Sequence, residues 1–173
     1  HTMTMTNTAL ERMGAWVLAA GMLLLGGCGG FPERMSPGTT RADIERQLGA
    51  PTAVHALADG TRLQYSRQPA GQQVFNLDLD AQGRLQRVDQ ALEPANLQRI
   101  EVDRWTRDDV LRAFGRPALV DRVARFEGDV WTYRYLEAFS LARLVHIHID
   151  PQGTVRRVVH TDEPLLDDLG NRF

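Results

Sequence analysis

The stretch TRADIERQLGAP, residues 40–51, predicts a short helix together with both of its ends. Thr40 is placed to cap the first turn, and Asp43 follows three residues later as in a capping box. Two apolar residues spaced four apart then form one face. Gly49 stands where a left-handed residue is favoured, and Pro51 prevents continuation of the helix. The stretch therefore predicts a helix of about two to three turns.

The same stretch recurs as TRDDVLRAFGRP, residues 106–117. Two further blocks repeat in the same order: LQY at 63–65 matches WTY at 131–133, and FNLDLDAQG at 75–83 matches VHIHIDPQG at 145–153. The spacing grows from 66 to 68 to 70 residues, and only between blocks, as small loop insertions would produce. The sequence therefore predicts one structural unit present twice.

Strand patterns follow each predicted helix. In the block at 75–80 apolar and polar residues alternate with a period of two, which is typical of a half-buried strand. We predict an α+β fold of two tandem repeats, each a short helix or helix pair packed on a four-stranded antiparallel sheet. The predicted strands are 52–57, 61–67, 75–80 and 84–90 in the first unit, and 118–125, 130–136, 143–150 and 154–160 in the second.

The apolar run MGAWVLAAGMLLL, residues 13–25, ends in Gly26-Gly27-Cys28. It is too short to span a bilayer comfortably and has the length of a signal-peptide core. Leu25-Gly26-Gly27-Cys28 resembles the lipobox of bacterial lipoproteins, which implies cleavage before Cys28 and diacylation of its sulfur. Gly29, in place of an aspartate, favours sorting to the outer membrane. The alternatives are a signal peptide without lipidation and a buried apolar helix with a chance cysteine.

The charge and cysteine content of the chain bear on what it can bind and on what can stabilise it. The chain has 173 residues, a formal net charge of −2 and one cysteine, so gross electrostatics gives no support for nucleic-acid binding and no intramolecular disulfide can form.

Pro94 is well placed to begin a short helix between the two units. The predicted organisation is a signal peptide at 1–27, a lipidated tether at 28–37, a first repeat at 38–92, a linker at 93–103, a second repeat at 104–160 and a tail at 161–173.

These features together resemble the SmpA/OmlA family. The shared elements are the lipobox, the short tether, the helix closed by Gly-x-Pro, the aromatic-x-Tyr strand and the Asp-x-Gln-Gly turn. The family includes the small lipoprotein subunit of the outer-membrane barrel-assembly machinery, which has one such unit where this chain has two. A tandem pair resembles the β-lactamase inhibitory proteins, whose two repeats form one curved sheet. The resemblance implies a lipid-anchored envelope protein on the periplasmic face of the outer membrane.

Candidate binding residues lie on the predicted strands. If the aliphatic side of each sheet is covered by a helix, the opposite side presents an exposed central stripe. We predict a partner-binding surface comprising Asn76, Asp78, His146, His148 and Arg134. The spacing His-x-His on a strand also fits a pair of metal ligands, but the matching first-unit residues are Asn and Asp, which fits a solvated polar face at least as well.

Three aromatic residues, Trp131, Tyr133 and Tyr135, share one face of their strand. They fit a core beneath the helix, and alternatively an aromatic patch that grips a partner. No nucleophile motif or phosphate loop is present in the sequence. We therefore predict no enzymatic activity and no cofactor. The predicted function is a membrane-anchored scaffold that binds an envelope protein in outer-membrane protein assembly or envelope integrity. The alternative is an inhibitor-type binder of a periplasmic enzyme.

Overall fold

The computed structural model describes residues 30–138 and 140–164. The predicted lipidation site Cys28, the signal peptide and residues 165–173 lie outside this part. The described chain is α+β, with two separate four-stranded antiparallel sheets and few helices. The strand order is β1-β2-β3-β4 in the first sheet and β5-β6-β7-β8 in the second, so each sheet is a simple meander.

The elements are given in chain order. A 3₁₀ turn at Pro32–Arg34 is followed by α1 (Arg41–Leu48), β1 (Ala53–Leu57), β2 (Gly60–Ser66), β3 (Val74–Asp80) and β4 (Leu85–Gln90). The short helix α2 (Pro94–Leu97) leads to α3 (Arg107–Phe114), β5 (Leu119–Asp121), β6 (Asp129–Glu137), β7 (Leu141–Ile149) and β8 (Val155–Asp162).

Both predicted helices begin and end as their sequences indicate. The Thr40 and Thr106 hydroxyls each accept a hydrogen bond from the backbone N–H three residues later, and at Thr106 the full capping box forms. Gly49 and Gly115 follow the last turns with φ of 79° and 73°. This left-handed conformation is the one that favours glycine.

The buried apolar side chains form two clusters. Ile44 of α1 lies in the first cluster with residues of β2, β3 and β4: Leu63, Phe75, Leu77, Leu79 and Leu85. Val110 and Phe114 of α3 lie in the second cluster with residues of β6, β7 and β8: Trp131, Tyr133, Tyr135, Val145, Ile147, Ile149 and Val155. Val74, Ala91, Leu92 and Leu97 also join the second cluster, so the first half contributes to the core of the second.

The second half packs on the polar face of the first sheet. This face carries Arg62, Gln64, Asn76, Asp78, Arg87 and Asp89, which alternate with the residues of the first cluster. The Asn76 amide donates a 2.8 Å hydrogen bond to the carbonyl of Ala113, and the Arg62 guanidinium donates to that of Arg112 at 3.1 Å. The polar face therefore satisfies carbonyls at the end of α3 that have no partner within the helix.

Three sequence-based expectations need correction. The strand predicted at 118–125 is only three residues long, and the chain leaves it for a loop in which Arg125 has φ of 66°. The predicted tether at 28–37 is partly bound, since Pro32 is buried and Met35 packs on the first cluster. The two sheets remain separate, so the single curved sheet of the inhibitory proteins does not form.

Candidate functional site

The predicted partner-binding residues lie in two places. Asn76 and Asp78 are on the polar face of the first sheet, beneath α3. His146, His148 and Arg134 are on the outer face of the second sheet, the face turned away from α3. The structure therefore does not join them into one stripe.

Asn76 is buried, and the prediction that it lies on an exposed stripe is wrong. Its side chain is 2% exposed. Its amide oxygen accepts from Gln64 at 3.0 Å, and its amide nitrogen donates to α3. The sequence pattern showed that the face is polar, but not that a helix from later in the chain covers it.

Asp78 is committed to an ion-pair network. Arg62 donates two hydrogen bonds to its carboxylate, at 2.6 and 2.8 Å, and Arg87 donates a third at 2.9 Å. Burial alone would raise the pKa of Asp78, but the two guanidinium groups outweigh it and hold the pKa below its usual range. The carboxylate thus fixes two arginines beside α3.

The two histidines of β7 are largely engaged within the fold. The Nδ1 and Nε2 atoms of His146 hydrogen-bond to the hydroxyls of Thr132 and Thr161, at 2.9 and 2.8 Å. His148 is 8% exposed, so the prediction that it is exposed is wrong. Phe126 packs edge-on against the His148 ring. The buried Nδ1 atom of His148 has no hydrogen-bond partner within the described chain. Burial lowers the pKa of both histidines. The neighbouring His148 and His160 lower the pKa of His146 further, and Arg157 does the same for His148.

Arg134 holds a loop of the first half against the second sheet. Its Nε and Nη2 atoms each lie 2.7 Å from a carboxylate oxygen of Glu163, whose side chain is 5% exposed. Its Nη1 donates to the carbonyls of Pro69 and Ala70, at 2.6 and 2.9 Å. The Gln68 amide meanwhile bonds the backbone N–H and C=O of Arg134, at 3.1 and 2.7 Å, where the short β5 leaves β6 unpaired. We call this arrangement the clamp.

The aromatic residues of β6 belong to the core. Trp131, Tyr133 and Tyr135 are 7%, 0% and 3% exposed, which confirms the core interpretation and excludes the exposed aromatic patch. The hydroxyl of Tyr133 donates to the carbonyl of Gly115 at 2.6 Å. Burial raises the pKa of Tyr133 well above its usual range.

A cleft of about 320 Å³ opens where the polar face of the first sheet meets α2 and α3. Charged residues on its walls include Asp89, Arg99 and Glu101, and Trp105 forms part of its apolar surface. A smaller cavity of about 270 Å³ continues past Trp105 toward Asp109 and Arg112. Sequence reasoning missed this site because its walls come from the first sheet, α2, the segment after α2 and α3, which only the packing of the two halves brings together.

The edge of β8 is a second unassigned feature. In an antiparallel pair, alternate residues bond to the neighbouring strand and the residues between them direct their backbone groups away from it. The Glu163 N–H donates to the carbonyl of Ala142, which fixes the set of β8 residues that bond to β7. The outward groups belong to Val158, His160 and Asp162, and within the described chain they have no backbone partner. The equivalent edge of β4 is partly covered, since the Asn96 amide donates to the carbonyl of Gln90 at 3.1 Å.

Metal and membrane features are limited in the described ranges. Across residues 30–138 and 140–164, no three His, Cys, Asp or Glu side chains come together as a metal site. None of the helices in that part combines the length and apolar character needed to cross a bilayer.

Comparison with known proteins adds little. No family model matches the sequence, and no curated protein does. Among solved structures, the chain resembles a DUF4309 family protein, YjgB from Bacillus subtilis, with 14% sequence identity and a TM-score of 0.31. The similarity covers 72% of this chain and 79% of that one. At this level it carries no functional argument.

Proposed function

We propose that the chain is a non-catalytic, lipid-anchored module of the bacterial envelope, made of two tandem helix-on-sheet units, which binds an envelope protein. The anchor is the diacylated Cys28 implied by the lipobox sequence. A localisation on the periplasmic face of the outer membrane follows from Gly29 in the position after it.

Local details recur at equivalent positions, which supports the duplication. The hydroxyl of Tyr65 donates to the carbonyl of Gly49 at 2.9 Å, as that of Tyr133 does to Gly115. Each sheet also has a register shift at the same place, after Asp78 in the first and after His148 in the second. A Cβ added to Gly60 would lie 1.9 Å from a carbonyl oxygen of β3, and one added to Gly128 would lie 2.1 Å from the equivalent oxygen of β7.

The edge of β8 carries the binding proposal. Val158, His160 and Asp162 present outward backbone groups that have no backbone partner in the described residues, and an extended segment of a partner protein can add to such an edge. Arg157 lies beside this edge, is exposed and has no ion pair within the described residues, so it favours an acidic segment. Two half-buried valines, Val158 and Val159, offer apolar contacts on either side of the strand.

The proposal is tested by changing one backbone group of the edge. His160→Pro removes an outward N–H without removing a bond to β7, and His160→Ala removes the same side chain but keeps the N–H. After crosslinking of the lipidated protein in membranes, the wild type and the alanine variant should capture the same envelope protein, expected to be a barrel-assembly component. The proline variant should lose it. Equal capture by both variants would contradict binding through β8.

Two further measurements address the anchor and the alternative function. Mass spectrometry of the mature protein should show an acylated Cys28 at its N-terminus, and Cys28→Ala should release the protein from membranes. Tight stoichiometric inhibition of a periplasmic hydrolase would instead support the inhibitor-type alternative.

A further inference from the structure

The cleft between the two halves has a defined location and composition. One wall is the polar face of the first sheet, and the others are α2, the segment that follows it and the side of α3. Its volume of about 320 Å³ lies at the lower end of the range for small-molecule sites. An occupant of this cleft would be a small molecule rather than a folded domain.

Most charged groups on the walls already have a partner. Arg62 and Arg87 are both paired with Asp78. Glu101 is paired with Arg104 at 3.0 Å. Arg62 and Arg87 share the single carboxylate of Asp78, so that group keeps a net charge of +1, whereas Glu101 and Arg104 balance each other.

Asp89 and Arg99 are the exceptions. The Asp89 carboxylate receives only the side-chain amide of Asn96, at 3.2 and 3.3 Å, and no cation. Arg99 is exposed, and no carboxylate within residues 30–138 and 140–164 lies at ion-pair distance from it. Its backbone N–H bonds the carbonyl of Asn96 at 3.1 Å, so Asn96 contacts both residues. The cleft wall therefore carries one anion and one cation that have no ion-pair partner within the described residues.

The remaining surface is apolar or amide. Ala91 and Phe114 are 2% and 1% exposed and line the interior of the cleft. Trp105 stacks on Phe114 with ring centroids 6.0 Å apart and remains half-buried, so its indole forms part of the wall. An apolar group of a ligand can pack there while its charged groups meet Asp89 and Arg99.

We propose that this cleft binds a small zwitterion of the α-amino carboxylate class that carries an apolar side chain. Asp89 receives the ligand ammonium, Arg99 receives its carboxylate, and Trp105 packs against the side chain. This inference goes beyond the protein-binding proposal and does not depend on it, because the cleft and the edge of β8 are different surfaces.

Calorimetric titration of the full-length protein with four compounds tests the ligand class. L-leucine and the dipeptide Leu-Leu carry both charges, N-acetyl-leucine lacks the ammonium, and leucinamide lacks the carboxylate. The blocked compounds should bind at least about tenfold more weakly than the better zwitterion, because each loses a charge-assisted hydrogen bond. Preference for L-leucine identifies a free amino acid, and preference for Leu-Leu identifies a short peptide. If neither binds at concentrations up to about 10 mM, or if N-acetyl-leucine binds equally well, the proposal is wrong.

Variants test the position of the site. Arg99→Ala should weaken L-leucine about tenfold or more while leaving leucinamide unchanged, since leucinamide has no carboxylate to lose. Asp89→Asn should likewise weaken the binding of L-leucine but leave the binding of N-acetyl-leucine unchanged, since N-acetyl-leucine has no ammonium to lose. Arg116→Ala is the control, because this arginine is exposed and does not line the cleft. The assignment would be contradicted if L-leucine still changed the Trp fluorescence of the Trp105→Phe variant. It would also be contradicted if a folded Arg99→Ala variant bound L-leucine as tightly as the wild type.

Discussion

Asn76 and His146 occupy equivalent positions in the two halves but have different surroundings. Asn76 bonds the end of α3, whereas His146 bonds two threonine hydroxyls of its own sheet. The alternation of polar and apolar residues placed both side chains on the correct side of their strands. It could not show which side a later helix would cover, because that depends on contacts between residues far apart in sequence.

We expect Asn76→Ala to lower the free energy of unfolding by about 1–3 kcal/mol, because the Gln64 amide and the Ala113 carbonyl both lose a buried partner. Chemical denaturation measures the change. The matched control is Gln47→Ala, an exposed amide on α1, which should alter stability by less than about 0.5 kcal/mol. Equal effects of the two changes would show that Asn76 is solvated.

The paired tyrosines give a second test at the residue scale. Tyr133 is fully buried and its hydroxyl donates at 2.6 Å, while Tyr65 is half-buried and its hydroxyl donates at 2.9 Å. Tyr133→Phe should cost about 1–2 kcal/mol, since it leaves a buried carbonyl without a partner, and Tyr65→Phe should cost less because water can replace the bond. Denaturation of both variants compares them directly, and a larger loss at Tyr65 would contradict the burial described here.

At the scale of elements, the helices and most strands could be predicted because their determinants are local. Caps, terminal glycines and alternating strands each depend on residues close together in sequence. The early end of β5 could not be predicted in this way. Asp121 pairs with Val130, next to the first residue of β6, so the predicted residues 122–125 fall in the loop that joins β5 to β6. At the other end of β5, the Gln68 side chain from the first half bonds β6 at Arg134 in place of a strand.

The clamp should contribute measurably to stability. Arg134→Ala leaves the carboxylate of Glu163 buried without its cation, so we expect a loss of about 3–5 kcal/mol in the free energy of unfolding. Arg104→Ala breaks an exposed ion pair with Glu101 and should cost less than about 1 kcal/mol. Denaturation midpoints for the two arginine variants check the difference, and similar midpoints would indicate that the clamp is open in solution.

At the scale of the whole molecule, stability should depend on pH through the outer face of the second sheet. The pKa values of His146 and His148 are lowered by burial in the folded state, so the unfolded chain binds protons first as the pH falls below about 6.5. The melting temperature should therefore decrease between about pH 7.5 and about pH 5. The double variant His146→Asn with His148→Asn should show a flatter dependence, and an unchanged slope would assign the effect to other groups.

The layers of the described chain follow one order: α1, the first sheet, α3 and the second sheet. Ile44 of α1 lies in the apolar cluster on one face of the first sheet, and carbonyls of α3 accept hydrogen bonds from the opposite, polar face. This arrangement withdraws Asn76 from any partner and creates the cleft beside α3. The cleft and the changed surroundings of the candidate residues both depend on the packing of the second half on the polar face.

Nuclear magnetic resonance of the Gln64 and Asn76 side-chain amides detects this packing. If α3 covers the polar face, both amide groups should exchange slowly with solvent and show nuclear Overhauser effects to backbone protons of residues 111–114. Rapid exchange of both amides, without effects to α3, would contradict the account.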